Sequence, residues 1–281
     1  MIIVDYMSIA MSVLFTQMQN EKIEEKLLKH MILNTIRAYN VKFRNDYGKL
    51  VLACDERSWR KDAYNQYNAN RTKSRTEDDT DWDMFFNIIN ELKSEIDENF
   101  PWKVVSVYGA EADDVIAALV FNSQEFGQHE DIMIVSSDKD FIQLHVHKNV
   151  KQFSPATKKM VKDKNPSNYL IEHIFSGDSG DGVPNVRSGD NTFVDGLRQN
   201  RLTTKTKKLW LENLDNLESV MTQDEYRNYQ RNKKVIDLRE IPSDLNDKII
   251  ETYDNASTKN KLFNYLIKSK LTKLIGSISD F

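Results

Sequence analysis

Residues Ile132–Leu144, IMIVSSDKDFIQL, decide how this chain reads. The apolar run Ile132, Met133, Ile134, Val135 has the length of a buried strand and stops at two serines. Asp138 and Asp140 follow at once, and then a short helix-like run, Phe141 to His145. An apolar strand ending in acids is how an open α/β sheet presents ligands, because sites lie beyond the carboxyl ends of the strands. The pattern recurs at Ile2–Asp5 (IIVD) and Leu50–Asp55 (LVLACD), and Glu111–Asp114 (EADD) follows the apolar run Lys103–Tyr108.

Between these acids the chain alternates strand and helix. Residues 2–4, Leu50–Cys54, Lys103–Val107 and Ile132–Val135 read as strands, and Glu24–Phe43, Met84–Glu98 and Asp113–Asn122 as helices. The fold class is therefore α/β, with a mostly parallel central sheet and flanking helices. Residues 57–83 break the rhythm, first basic and then abruptly acidic. A long polar connection inside a compact domain is usually functional. Lys148–Lys164 is basic and strand-poor, and from Pro166 the chain reads as helices: Ser167–Phe175, Lys205–Met221, Asp224–Val235, Leu245–Tyr253 and Lys259–Ile278. The expected division is an α/β domain over 1–160 and a helical domain over 161–281.

With 281 residues, 40% apolar and 29% charged, the chain is that of a globular protein with a sizeable core. No apolar stretch has membrane-spanning length and the N-terminus lacks a signal-peptide shape, so no membrane role is expected. The single cysteine, Cys54, excludes an internal disulfide, suits a reducing compartment and reads as core. A net charge of −4 argues mildly against nucleic-acid binding, but charge is local. Arg57, Arg60, Lys61, Arg71, Lys73 and Arg75 cluster in one stretch, and Arg198, Arg201, Lys205, Lys207 and Lys208 in another.

Taken singly, each acid has a plainer reading. Glu111–Asp114 suit a helix start, Asp138 suits an N-cap, and Asp178 and Asp181 in GDSGDG suit a turn. Their shared place at strand ends outweighs this. Carboxylates converging on one edge repel one another unless a cation neutralises them. Oxygen ligands without a cysteine and histidine set point to Mg²⁺, with Mn²⁺ the alternative. The excess of acids suggests two ions, roughly 4 Å apart as in phosphoryl-transfer sites. His145 and His147 form too small a set for zinc and read as surface or boundary residues.

The order IIVD, LVLACD, YGAEADD, SSDKDFIQL and GDSGDGVPNV resembles the structure-specific 5′-nuclease (flap endonuclease) superfamily, and within it the T-even phage RNase H type. WRKDAYNQYNANR and LTKLIGSISDF extend the resemblance over nearly the whole chain. It implies a PIN-like nuclease domain, a helical arch at about 57–83, and a helix-turn-helix-like element gripping duplex DNA. By matched position, Asp5, Asp55, Glu111, Asp113 and Asp138 would serve one ion, and Asp140, Asp178 and Asp181 a second. Asp114 belongs to the same acidic cluster.

Arg57, Trp59, Tyr64, Tyr67, Asn68, Lys73 and Arg75 would contact DNA from the arch, the aromatics by stacking on bases. Arg198, Arg201, Thr204, Lys205 and Lys207 would hold duplex phosphates at a helix start. The implied reaction is metal-dependent 5′-to-3′ hydrolysis at DNA flaps, nicks and RNA–DNA hybrid ends, removing primers in the cytoplasm of an infected bacterial host. The implied protein is a monomer, with the exposed part of Ile275–Phe281 a docking point for a single-strand-binding protein.

Two departures stand out. The family's arch lysine is replaced by Asn68, while Arg71 keeps its place. A neutral amide cannot replace an ammonium at developing negative charge, which leaves Lys61 and Arg60 as substitute catalytic cations beside Arg71. The glycine-rich hairpin common after GDxxDxxPGV is absent, and a longer basic connection stands there instead. The competing readings are a branched-DNA-binding protein with impaired chemistry and a PIN-type ribonuclease, which normally lacks the long helical domain.

Overall fold

A computed structural model of the chain describes residues 1–17, 23–69, 80–125, 127 and 129–281. In chain order the elements are β1 (Ile2–Asp5), α1 (Tyr6–Gln17), α2 (Glu25–Tyr47), β2 (Leu50–Cys54), α3 (Arg60–Ala63), α4 (Trp82–Asn99), β3 (Lys103–Ser106), α5 (Ala112–Gln124) and β4 (Ile132–Val135). A 3₁₀ turn (Asp140–Val146), β5 (Val150–Ser154), β6 (Lys159–Val161), α6 (Pro166–Ser176), α7 (Thr204–Leu211) and a second 3₁₀ turn (Leu214–Ser219) follow. The chain ends with α8 (Gln223–Ile236), α9 (Ser243–Asn255), α10 (Leu262–Lys268) and a 3₁₀ stretch (Thr272–Asp280).

The strands form one sheet in the order β3-β2-β1-β4-β5-β6, parallel throughout except for β6. The order turns outward in both directions from β1 and β4, which makes the gap between their carboxyl ends the topological switch point where such sheets place ligands. Alternation divides the strands between two faces. Ile2, Val4, Leu50, Leu52, Cys54, Met133, Val135 and Phe153 share one core with residues of α1, α2 and α4.

Lys148–Lys164, expected to be strand-poor, instead holds β5 and β6. The reason is that lysines and polar residues hide the buried positions: Val150, Gln152, Phe153 and Ser154 are buried while Lys151 and Lys159 are exposed. Lysine on an edge strand discourages further pairing. Helix α1 was not legible either, because YMSIAMSVLFTQ is apolar on too many sides to show a helical stripe.

The chain forms two compact units, one of residues 1–57, 81–162 and 242–281, the other of 58–80 and 163–241. The expected single cut, 1–160 against 161–281, is corrected on two counts. The last forty residues return to the α/β unit, because the stripe read as generic core (Leu262, Tyr265, Leu266, Leu271, Leu274) joins the sheet's own core. The Tyr265 hydroxyl donates to Glu95 at 2.8 Å. Lys29, buried beneath, lies 2.9, 3.1 and 3.0 Å from Glu25, Glu91 and Glu95. Burial alone would lower its pKa, but the three carboxylates outweigh this and raise it to about 12.

The tail is packed rather than free. Arg37 pairs with Asp280, Asn40 donates to the Asp280 carbonyl, and the Phe281 ring stacks on Trp102 at 5.5 Å. The second correction is that residues 58–69, expected to belong with the α/β domain, pack in the helical unit. Tyr64 and Tyr67 join Leu170, Ile174, Val183, Val235 and Ile236 in its core. A further core holds Phe175, Val186, Trp210, Leu217 and Met221. The expected helix Lys205–Met221 breaks after Leu211, where the Asn213 side chain donates to the Leu209 carbonyl and Asn216 leaves helical geometry. No described helix is long and apolar enough to cross a membrane.

Leu266 is fully buried and the neighbouring Phe263 half exposed. Leu266→Ala should therefore cost about 2–5 kcal/mol, and Phe263→Ala much less, both read from urea unfolding of the full chain. Equal costs would show that α10 is not part of the α/β core.

Candidate metal centre and nucleic-acid-binding residues

In the α/β unit, β1 ends in Asp5, β2 is followed by Asp55, and β4 leads through Ser136 and Ser137 to Asp138. Because β1, β2 and β4 are parallel and paired in register, their carboxyl ends share one edge. Asp5 is buried, 7% exposed, and its Oδ1 accepts the Ser8 backbone N–H at 2.9 Å. Its Oδ2 accepts the Ser136 hydroxyl at 2.8 Å, and Ser136 Oγ accepts the Asp138 N–H at 3.1 Å. Asp138 Oδ1 in turn accepts the Asp140 N–H at 2.9 Å. One serine thus ties the buried acid of β1 to the acidic loop after β4.

Asp55 Oδ1 accepts the N–H of Ala112, the first residue of α5, at 3.0 Å. This fixes the start of α5, which carries Glu111 and Asp113, against the β2 acid. Asp114, expected among the metal ligands, is corrected: it is fully buried and its carboxylate accepts the Glu111 N–H at 2.9 Å in a reciprocal capping box. An acid three residues into a helix that closes on the N-cap is performing a backbone task.

The electrostatics agree with the geometry. Burial raises the Asp5 carboxyl most, repulsion from Asp55 adds to it, and hydrogen bonds from Ser8 and Ser136 only partly offset them, with Asp138 a further repulsive neighbour. The result is about 7. A carboxyl group raised first by burial and then by like charges beside it is a site whose natural complement is a cation. The donors here are oxygens throughout, which fits a hard divalent ion. The Cys54 thiol, fully buried, is pushed well above its ordinary range by burial and stays inert.

In the helical unit, GDSGDG forms a tight turn that begins at Gly177. With φ +67, a Cβ there would fall 2.3 Å from the Val183 carbonyl, so only glycine fits. Asp178 Oδ1 accepts the N–H groups of Gly180 and Asp181 at 2.7 and 3.2 Å, so the turn reading is correct for that oxygen. Its Oδ2 lies 3.4 Å from His173 Nε2, and the His173 contact holds the Asp178 carboxyl below its ordinary range despite burial. His173 was not singled out in the sequence. The signal was available in its place on the last turn of α6, five residues before Asp178.

The aromatic residues expected to stack on bases are otherwise engaged. Tyr64 is buried and its hydroxyl donates to the Asp190 carbonyl at 2.6 Å. Tyr67, also buried, donates to Asp181 Oδ2 at 3.0 Å. Trp59 is half-buried, with Arg60 and Lys234 over its ring at 5.0 and 5.3 Å. Arg60, expected as a substitute catalytic cation, is 2% exposed and donates to the Val235 carbonyl at 2.8 Å, so it is a buried pin rather than a phosphate ligand. Lys61 is exposed, as is Arg57 in the α/β unit.

Arg71, Lys73 and Arg75 lie outside the described residues. Asn68 occupies the left-handed region, φ +60, and donates its N–H to the Asp181 carbonyl at 2.7 Å, while its buried Oδ1 has no hydrogen-bond partner among the described residues. Asparagine tolerates that backbone where most residues do not, so position 68 carries a conformational task that its sequence did not disclose. On the other side of the unit's sequence, Arg198, Arg201, Thr204 and Lys205 are exposed around the start of α7, which Thr203 caps at 3.1 Å. Lys207 differs: it is half-buried and its ammonium donates to Ser176 Oγ at 2.6 Å.

Residues 1–171 match the family described as 5′-3′ exonuclease, N-terminal resolvase-like domain, and residues 165–281 match T4 RNase H, C terminal. The chain is 33% identical to the ribonuclease H of Enterobacteria phage T4 over 99% of its own length and 95% of the relative's. It is 27% identical to the 5′-3′ exonuclease of Buchnera aphidicola over about half of each chain, 49% and 48%. Among solved structures, the T5 5′-exonuclease with bound zinc superposes with a TM-score of 0.66 over 91% of this chain and 98% of the other, at 18% identity. The bacteriophage T5 flap endonuclease in complex with DNA and metal ions gives 0.63 over 90% and 99%, also at 18% identity. These two likenesses establish the fold.

Asn68→Lys should cost roughly 1 kcal/mol through its left-handed backbone and lower the melting temperature, whereas Asn68→Gly should leave it nearly unchanged. A lysine variant that gains single-turnover rate at no cost in stability would instead place position 68 at the reacting phosphate.

Proposed function

The chain belongs to the 5′-3′ exonuclease family, and from that membership we propose that it is a divalent-metal-dependent 5′-nuclease acting on DNA flaps, nicked duplex and RNA–DNA hybrid 5′ ends. The observation that carries this reading is the buried Asp5 carboxylate at the switch point of a parallel sheet, joined through Ser136 to Asp138 and repelled by Asp55. The proposed role is primer removal by a monomer in the cytoplasm of an infected host; what supports the hybrid-directed part of it is the near-complete coverage of a phage T4 relative named ribonuclease H.

Asp5, Asp55, Glu111, Asp113 and Asp138 would hold one Mg²⁺, with Mn²⁺ the alternative. Asp178 and Asp181 are the helical unit's candidates for a second ion, on the family resemblance. When bound, such ions supply charge neutralisation at phosphate oxygens and acidify water. The chain's own work is placement. Ser8 and Ser136 orient the Asp5 carboxylate, and the Asp55–Ala112 bond orients the start of α5. Lys61, exposed beside the buried Arg60 pin, is a described cation of the arch sequence free of burial and proposed to meet a phosphate. Arg198, Arg201, Thr204 and Lys205 offer phosphate contacts that position a duplex without reading its bases.

Incubation with a 5′-flap DNA, an RNA–DNA hybrid and single-stranded RNA should give cleavage of the first two with Mg²⁺ and of none in EDTA. Tight flap binding with no cleavage of any DNA or hybrid would replace this reading with that of a branched-DNA binder. Cleavage of RNA alone would replace it with a PIN-type ribonuclease.

The raised Asp5 value also sets a pH dependence. A carboxyl group whose folded pKa exceeds its unfolded one stabilises the metal-free fold at low pH and loses that contribution as pH rises from about 4 to about 7. The loss is of order 4 kcal/mol, at about 1.4 kcal/mol per unit. Mg²⁺ should therefore raise the melting temperature more at pH 8 than at pH 5, and Asp5→Asn should remove most of that difference. An equal rise at both pH values would contradict the assignment of Asp5 as the buried ligand.

A further inference from the structure

A cavity of about 230 Å³ in the α/β unit is lined by Glu24, Lys26, Leu27 and His30 at the start of α2, and by Lys270–Lys273, which lead from the turn after α10 into the final 3₁₀ stretch. Lys26 and His30 are one helical turn apart and so share a face of α2. The opposite wall is a fixed turn. Lys270 lies in the left-handed region at φ +57, and the N–H groups of Lys270 and Leu271 donate to the carbonyls of Ile267 and Leu266 at 3.1 and 2.8 Å. Leu271, 2% exposed, anchors that turn in the core.

The charges around the cavity do not balance. Three lysines face one acid, Glu24, and no described carboxylate lies within ion-pair distance of Lys26, Lys270 or Lys273. The imbalance is felt inside: burial lowers the His30 pKa first, and repulsion from Lys273 and Lys26 lowers it further. Cations clustered at one cavity repel one another, a cost that an anion there would remove. The N-cap residue Glu24 makes no side-chain cap among the described residues, so the positive end of a 23-residue helix adds to the field. The cavity is smaller than the roughly 300–1,000 Å³ of drug-sized ligand pockets, which suits one phosphate-sized group over the apolar floor of Leu27 and Leu271.

We propose that this pocket is a phosphate-binding site, taking a phosphate group carried by a nucleic-acid strand or free in solution. It shares no lining residue with the acidic edge, and it goes beyond the nuclease reading without depending on it. Lys26, Lys270 and Lys273 supply ammonium donors, and His30 reports on occupancy because its environment changes when the anion arrives.

The test follows the His30 ring signals by NMR in the full chain with labelled histidine, assigned with His30→Gln, in EDTA so that no cleavage intervenes. The probes are inorganic phosphate and, separately, a short duplex DNA. A saturable His30 shift is expected, with its midpoint at least tenfold weaker in the Lys26→Ala/Lys273→Ala variant while the melting temperature of that variant is unchanged. A response to phosphate identifies a free-phosphate site, and a response to DNA alone identifies a backbone phosphate. His30 signals unmoved by either probe, or moved equally in the variant, would overturn the proposal. The readout needs no catalysis, so its failure leaves the cleavage assays on flap DNA to judge the nuclease reading separately.

Discussion

Asp5 is a carboxylate at the buried end of a central strand, held by one backbone N–H and one serine hydroxyl, with Asp55 and Asp138 near enough to repel it. Removing an ionised carboxyl from water is expensive, and placing like charges beside it adds to the expense. A fold gains nothing in stability from that arrangement alone. The parallel sheet imposes it by delivering three strand ends to one edge, and the surrounding hydrogen bonds then fix its orientation. Ser136 is the economical part of this design, since a single hydroxyl both donates to Asp5 and accepts the N–H of Asp138.

The helical unit solves a different problem with residues that look functional in sequence. WRKDAY and QY read as a cationic, aromatic nucleic-acid surface. In the structure the Arg60 guanidinium and the Tyr64 and Tyr67 rings are inside, their polar ends donating to Val235, Asp190 and Asp181. Tyrosine and arginine carry enough apolar surface to be core residues when their polar tips find acceptors. The basic segment therefore starts from a fixed base, and the Tyr67 hydroxyl orients Asp181 at the same time.

The C-terminal return shows how sequence order and packing diverge. Residues 163–241 and 242–281 are both helical, yet they bury their stripes in different cores. Within the α/β unit, Lys29 marks energetically where α2 and α4 meet below the returning α10. A buried ammonium tolerates its desolvation only with partners, and here those partners come from α2 itself and from α4, whose Glu95 also accepts the Tyr265 hydroxyl of α10. The pairing of Asp280 with Arg37 fastens the end of the chain to the same helix.

The sequence by itself determined the alternating plan, the strands that end in acids and the family, because buried strands must be apolar and their termination in aspartate is a local pattern. It also located the main helices to within a few residues, as with Glu25–Tyr47 and Trp82–Asn99. Strands β5 and β6, the discontinuous units, the inward turn of Tyr64, Tyr67 and Arg60, and the capping role of Asp114 emerged only in three dimensions. The inward turn of Tyr64, Tyr67 and Arg60 depends on partners more than a hundred residues away, and the others on strand pairing or on backbone geometry, as in the left-handed turn at Asn68. Side-chain chemistry can be read one residue at a time, but whether a polar group faces water or an acceptor is decided by what the fold brings against it.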